Sequence, residues 1–156
     1  MERQKIELVE GAKPYHGKPY TVLKAYEQAL KKEIDRLVKI DILRKVNHSQ
    51  WGAPCFVIPK KDQTIRFITD FRELNKRIKR NPFPLPKIQD MLLKMEGFQY
   101  ATSLDLNMGY YHIKLDANSI KLCTIVLPWV KYEYNALPMG FCSSCDIFQE
   151  KMSKLM

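Results

Sequence analysis

With 156 residues the chain has the length of one ordinary domain. Its 46% hydrophobic content is enough for a core and excludes global disorder. Twenty-six Lys and Arg against seventeen Asp and Glu give a net charge of +9, which favours a polyanionic partner through phosphate contacts and counterion release.

The start, "MERQKIELVE", is charged and carries no apolar stretch of the secretory kind. Gly11, Pro14, Gly17 and Pro19 keep the first twenty residues extended. From about Tyr20 to Val38, Leu23, Tyr26, Leu30, Ile34 and Leu37 recur at spacings of three and four, with Lys24, Glu27, Lys31 and Asp35 facing away. That is an amphipathic helix whose stripe packs on a core. "WGAPCFVIPKKDQTIRFITDF" reads as a hairpin, with Cys55 to Ile58 as one strand, "KKDQT" as the turn, and Ile65 and Phe67 pointing opposite to Arg66 and Ile68. Its tip gathers Lys60, Lys61 and Arg66, either as solvated charges or as a cationic finger for phosphates.

Three prolines extend "RIKRNPFPLPKI", whose basic "KRIKR" is either a solvated run or a nucleic-acid contact. Ile88, Met91, Leu92 and Met95 mark a short helix that Gly97 stops. "FQYATSLDL" and "YYHIKL" read as strands, and "CTIVLPWVKYEY" as a second hairpin turning at Pro128-Trp129. Asp116 reads as a turn residue, and Tyr111 and His112 as packing or surface groups. Ile147, Phe148, Met152 and Leu155 mark a last helix from about Ser144 to Met156. Helices mixed with mostly antiparallel strands make the class α+β. No apolar run reaches the roughly 18 residues of a membrane span, so no membrane partner is expected. The four cysteines do not form a disulfide scaffold. Cys142 and Cys145 form a C-x-x-C without the second pair, or the histidine spacing from His16, His48 or His112, that structural zinc requires. Reduced packing thiols are the expectation.

"SLDLNMGYY" places the acid Asp105 inside an apolar run, followed by a glycine and two tyrosines. An acid at a strand end either bonds backbone N–H groups or offers oxygen to a hard cation. Such a carboxylate, a cationic hairpin for a triphosphate and an aromatic ring for a sugar together suggest nucleotidyl transfer.

The residues also match a family. "KIELVEGAKPY", "SQWGAPCFVIPKKD", "IRFITDFRELNKRIKRNPFPLPKIQDML", "GFQYATSLDLNMGYYHIKL", "KYEYNALPMGF" and "IFQEKM" occur in order over most of the chain. In these motifs the chain closely resembles the fingers and upper palm of the reverse transcriptases of gypsy-type LTR retrotransposons, relatives of retroviral polymerases. The resemblance implies a right-hand polymerase fragment spanning 1–156, with about 20–95 mainly fingers and about 96–156 the start of the palm. It implies that Asp105 is the first metal-binding aspartate, beside the Leu106 carbonyl, for Mg²⁺ with Mn²⁺ as a substitute. It makes Tyr110 the ring that excludes a ribose 2′-OH, and Lys60 and Arg66 the grip on the incoming triphosphate. Met139 and Gly140 form the loop beneath the sugar, and Gln149 stands near the template and dNTP pocket. Trp51, Gly52, Pro54, Lys61, Arg72, Asn75 and Lys76 fall at nucleic-acid contacts. The implied partners are an RNA template, an RNA/DNA or DNA primer duplex, dNTPs, and the remaining palm, thumb and RNase H parts of a polyprotein, in a cytoplasmic particle.

The chain departs from the family pattern in several places. Two-metal chemistry needs convergent carboxylates, with the ions roughly 3.5–4 Å apart. The family supplies them in a Y-x-D-D hairpin after "FQEKM", and no Asp-Asp pair occurs among these 156 residues. The chain alone is therefore expected to be inactive, with a non-catalytic nucleic-acid-binding fragment or a decayed element as alternatives. Gln63, Val130 and Asp41 stand where the family favours glycine, and Cys145 where it often has proline. Each lost glycine is expected to cost about 1 kcal/mol if the backbone keeps positive φ.

Overall fold

The amphipathic stripe becomes helix α1, Lys24–Lys39, in the computed structural model, which describes residues 2–156. Leu30, Ile34 and Leu37 are its buried face, while Lys31 and Glu27 pair at 2.9 Å on the outside. The helix starts four residues later than its periodicity suggests. Leu23 is extended, and the Tyr20 hydroxyl donates to Asp70 at 2.8 Å, drawing the chain away from helical geometry.

Five strands form one sheet: β1 (Leu43–Val46), β2 (Ala53–Pro59), β3 (Ile65–Thr69), β4 (Thr124–Val126) and β5 (Lys131–Tyr134), in the order β1-β5-β4-β2-β3. Only β2 and β4 run parallel; the other pairs are antiparallel. Both expected hairpins are present. In the second, Leu127 N–H donates to the Val130 carbonyl at 2.9 Å, which puts Pro128 and Trp129 at the bend. α1 packs on β1 and β3, and the core between them continues through Leu43, Phe71, Leu115, Ile125 and Leu137. Each such side chain contributes roughly 1.5–3 kcal/mol on burial. The extended lead-in forms a belt. It makes isolated bridges from Gln4, Leu8 and His16 to Leu115, Ile78 and Gly52, and Ile6 N–H donates to the Ser119 hydroxyl at 2.7 Å.

The remaining helices are α2 (Arg72–Asn75), α3 (Ile88–Lys94), α4 (Ala117–Leu122) and α5 (Ser144–Leu155), with a 3-10 turn at Gly109–His112. Asp116 caps α4 by accepting from Ser119 N–H at 2.8 Å, as its turn assignment requires.

Two expected strands differ. "FQYATSLDL" forms no strand, and every residue from 84 to 107 is exposed. A strand needs a neighbour to satisfy its N–H and C=O groups, and among the described residues none pairs with this segment. "YYHIKL" begins as the 3-10 turn, because Met108 is left-handed (φ 54°) and its carbonyl accepts from Tyr111 N–H at 2.9 Å. The alternation survives only in its second half, where Ile113 and Leu115 are buried and Lys114 bridges Ala136. Two of the three glycine-favouring positions do have positive φ: Asp41 at 60° and Gln63 at 64°. Val130 does not, so its replacement of glycine stores no strain of this kind. Gly97, at φ 88°, follows α3 as expected.

Candidate nucleotide and metal site

Asp105 and Leu106 end the exposed segment, and the left-handed turn at Met108 then folds the chain so that Tyr110 faces them. Asp105, Leu106, Tyr110 and Met139 line one depression of about 640 Å³ whose inner wall is Phe148 and Met152 of α5. Three positions of the "SLDLNMGYY" motif and Met139 of "LPMGF" thus meet at one place.

Packing fixes the aromatic wall. The Tyr110 and Phe148 rings meet edge to face, with centroids 5.3 Å apart at 74°. Gly109 permits this approach, since a Cβ there would stand 2.9 Å from the Phe148 ring. The Tyr110 hydroxyl lies 3.1 Å from the Cys145 sulfur. That contact first, and partial burial second, push the phenol up to about 12.

The "LPMGF" loop is held from behind by Asn75. Its amide donates to the Gly140 carbonyl at 3.0 Å and its oxygen accepts from Cys142 N–H at 2.9 Å. Ser144 Oγ donates to the Pro138 carbonyl at 2.7 Å. Gly140 takes φ 81°, a conformation that glycine adopts at little cost. The start of α5 is fixed by a buried acid. Asp146, 2% exposed, accepts from Arg80 Nε at 2.8 Å and from Phe83 N–H at 3.1 Å. The Arg80 hydrogen bond holds its carboxyl below the usual range. The pair ties the proline-rich connection to the helix that carries Phe148 and Gln149. Gln149 is half-buried and reaches only Ser153, at 3.5 Å.

Lys60, Lys61 and Arg66 do not line the depression. They are exposed at the β2–β3 hairpin, and among the described residues none of the three is ion-paired. Two hydrogen bonds close the turn: Lys60 N–H donates to the Thr64 carbonyl at 2.8 Å, and Asp62 accepts from Thr64 N–H at 3.1 Å. Arg72 is 82% exposed and forked onto Asp70 at 2.8 and 2.7 Å. The Arg72 contact first, then Tyr20, hold Asp70 well below the ordinary carboxylate range. Lys76 pairs with Glu73 at 2.7 Å. Trp51, Gly52 and Pro54 are buried. A Cβ on Gly52 would stand 2.5 Å from Val126 and 2.7 Å from the His16 ring, so glycine there is a packing requirement.

As oxygen donors for a hard cation, the chain offers here the Asp105 carboxylate and the Leu106 carbonyl. Among the described residues no three His, Cys, Asp or Glu side chains are placed to hold a metal ion together. A six-coordinate Mg²⁺ would take its other ligands from water, substrate phosphates or residues outside these 156. Cys55 and Cys123 are buried thiols, with burial raising both and pushing Cys55 up to about 12, as packing sulfurs should be. The model of the reverse transcriptase (RNA-dependent DNA polymerase) family matches residues 58–156.

The chain belongs to the reverse transcriptase family. It is 26% identical over 148 residues to the retrovirus-related Pol polyprotein from transposon 297 of Drosophila melanogaster, covering 92% of this chain and 14% of that protein. It is 32% identical over 122 residues to the transposon Tf2-3 polyprotein of Schizosaccharomyces pombe, covering 78% of this chain and 9% of that one. Native prototype foamy virus protease-reverse transcriptase superposes over 94% of this chain and 20% of its own length, with a TM-score of 0.84 and 26% identity. A foamy viral protease-reverse transcriptase in complex with double-stranded DNA shares the fold at TM-score 0.76 and 21% identity. The chain therefore spans only a small part of its reverse transcriptase relatives. No helix among its described residues is long and apolar enough to cross a membrane.

Of the residues that line the depression the motifs name Asp105, Leu106, Tyr110 and Met139, while Gly140 and Gln149, named with them, do not line it. The motifs do not mark the supports of the site, which are Asn75 as a loop clamp, the Arg80–Asp146 pair and the Cys145 thiol on Tyr110, nor Tyr20 on Asp70 beside Arg72. Asn75 was visible as part of "DFRELNK", but nothing local distinguishes a clamp from a surface contact.

Proposed function

We propose that these residues are the fingers and the beginning of the palm of a gypsy-type LTR retrotransposon reverse transcriptase, which copies RNA into DNA. The observation that carries this reading is the meeting of Asp105, Leu106, Tyr110 and Met139 around one depression in a chain of the reverse transcriptase family. Asp105 and the Leu106 carbonyl give two oxygens to a Mg²⁺ that, when bound, neutralises triphosphate charge. Tyr110, stiffened by Phe148, forms a wall against the sugar and excludes a 2′-OH. Met139 and Gly140 lie beneath it. Lys60 and Arg66 bind the triphosphate, Arg66 through a planar fork suited to phosphate oxygens. Arg72, oriented by Asp70, and Lys61 contact template and primer duplex. Work in a cytoplasmic particle, with further palm, thumb and RNase H parts, belongs to the same proposal.

A second reading, nucleic-acid binding without catalysis by the 156-residue polypeptide, is favoured by one observation: three cations on a single hairpin that have no ion-pair partner among the described residues. Duplex binding tests both readings. The polypeptide is expected to bind an RNA–DNA duplex with affinity that falls steeply with salt. Replacing Lys60, Lys61 and Arg66 by alanine should lower the slope of log K against log salt by roughly 2–3, at about 0.9 per phosphate contact. No binding at low salt, or an unchanged slope, refutes the role given to the hairpin. In the polymerase that carries this segment, Tyr110→Val should admit ribonucleotides. Unchanged sugar selectivity refutes the gate.

A further inference from the structure

We infer that Cys142 and Cys145 are a redox-active dithiol whose oxidation to an intrachain disulfide withdraws the Cys145 sulfur from the Tyr110 hydroxyl. The tie to sugar selection rests on the polymerase reading above; the dithiol itself does not.

Among the described residues, the two thiols differ from the chain's other pair. Cys55 and Cys123 are buried, whereas Cys145 is exposed and Cys142 half-buried. They stand three residues apart, Cys142 in the turn that leads into α5 and Cys145 in its first turn, with Ser144 N–H bonded to the Phe141 carbonyl at 3.1 Å and Ile147 N–H to the Ser143 carbonyl at 2.9 Å. Side chains at that spacing on a helical turn stand about 5–6 Å apart at Cβ. A disulfide needs about 3.5–4.5 Å. Closure therefore draws the two together by roughly 1–2 Å, which the first turn of a helix can absorb and which makes a labile bond rather than a structural one. Arg80 is held above its ordinary value by Asp146 first, with Cys142 and Cys145 adding smaller contributions.

The contact that would be lost is specific. Cys145 Sγ is the partner of the Tyr110 hydroxyl at 3.1 Å, on the ring that lines the depression beside Asp105. Among the described residues Cys142 Sγ has only Ser143 Oγ, at 3.7 Å. A small disulfide such as oxidised glutathione supplies the oxidising equivalents. The Cys145 thiolate attacks one of its sulfurs, breaking that S–S bond and releasing one glutathione thiolate. The Cys142 thiolate then attacks the Cys145 sulfur, forming the protein disulfide and releasing the second glutathione. Two protons and two electrons leave the protein, and both are recovered in two glutathione thiols. Tyr110 is left bonded to water, with its ring still on Phe148.

The test uses the full chain equilibrated in glutathione buffers of rising oxidised fraction, then acid-quenched and alkylated. Both cysteines lie in one tryptic peptide, residues 132–151. The expected result is that this peptide loses two hydrogen masses without gaining glutathione, while Cys55 and Cys123 remain alkylated. Cys142→Ser and Cys145→Ser should each abolish the loss. Glutathione adducts without the intrachain disulfide, or no oxidation across the range, overturn the inference. Fluorotyrosine labelling reads the second half, with Tyr110→Phe identifying the Tyr110 fluorine resonance. Oxidation should shift that resonance, and Cys145→Ser should abolish the shift. A disulfide that forms with the Tyr110 resonance unmoved refutes the withdrawal. Neither readout depends on polymerase activity, so a failed polymerase reading would leave both results standing.

Discussion

Replacing Gln63 with glycine should stabilise the chain, although it removes a side chain. Gln63 sits at φ 64° in the hairpin turn, where Gln63 N–H bonds the Lys60 carbonyl at 3.2 Å. The left-handed conformation costs a residue with a Cβ roughly 1–2 kcal/mol. Glycine removes that cost but loses about 0.5–1 kcal/mol through the greater freedom of the unfolded chain. The balance is a gain of about 0.5–1 kcal/mol, or roughly 1–4 °C in melting temperature for a domain of this size. Two comparisons sharpen the test. Asp41 is also left-handed, at φ 60°, but aspartate tolerates this conformation. Its carboxylate also accepts from the Asn135 amide at 3.0 Å, so Asp41→Gly should give no gain. Val130 lacks positive φ, so Val130→Gly should only destabilise, by about 0.5–1 kcal/mol. Urea and thermal melts of the three variants measure the pattern. A Gln63→Gly variant no more stable than the parent, or a Val130→Gly variant that gains stability, would refute the reasoning.

Acid should weaken the fold through its hydrogen-bonded carboxylates. Asp70, Asp116 and Asp146 are all depressed in the folded state, by Arg72, Ser119 and Arg80 respectively. Their stabilisation is complete above the unfolded value of about 3.9 and is lost as pH falls through the lower folded values. Melts below about pH 4 should show the decline, and Asp70→Asn should flatten part of it; an unchanged acid profile counts against the Asp70 network. Asn75→Ala removes both bonds that clamp the "LPMGF" loop and should cost about 1–3 kcal/mol. Amide exchange at Cys142 should rise more than exchange in α1, and equal protection in variant and parent would contradict the clamp.

The legible parts of the fold were those written in local pattern. Leu30, Ile34 and Leu37 repeat at helical spacing, and Pro128-Trp129 punctuates two apolar runs, so α1 and the second hairpin could be read directly. "FQYATSLDL" carries a strand-like composition, yet composition supplies only one side of a ladder, and no described segment supplies the other. "YYHIKL" alternates like a strand but begins as a 3-10 turn, because the left-handed residue is Met108 and not the adjacent Gly109. The site divides the same way. Asp105 and Tyr110 stand in a short motif that names them. The elements around them are fixed by long-range pairs, Arg80 with Asp146 at a separation of 66 residues and Asn75 with Cys142 at 67. No local pattern records such pairings.

The central claim is that Asp105 serves metal-dependent nucleotide transfer in a larger polymerase and is not a structural acid. Its exposure makes Asp105→Asn nearly neutral for folding, within about 0.5 kcal/mol. The direct measurement is primer extension on an RNA template with Mg²⁺ and dNTPs. The 156-residue polypeptide should incorporate nothing. The polymerase carrying this segment should extend the primer, and Asp105→Asn should abolish extension while the melt is unchanged. Extension that persists in Asp105→Asn would contradict the account.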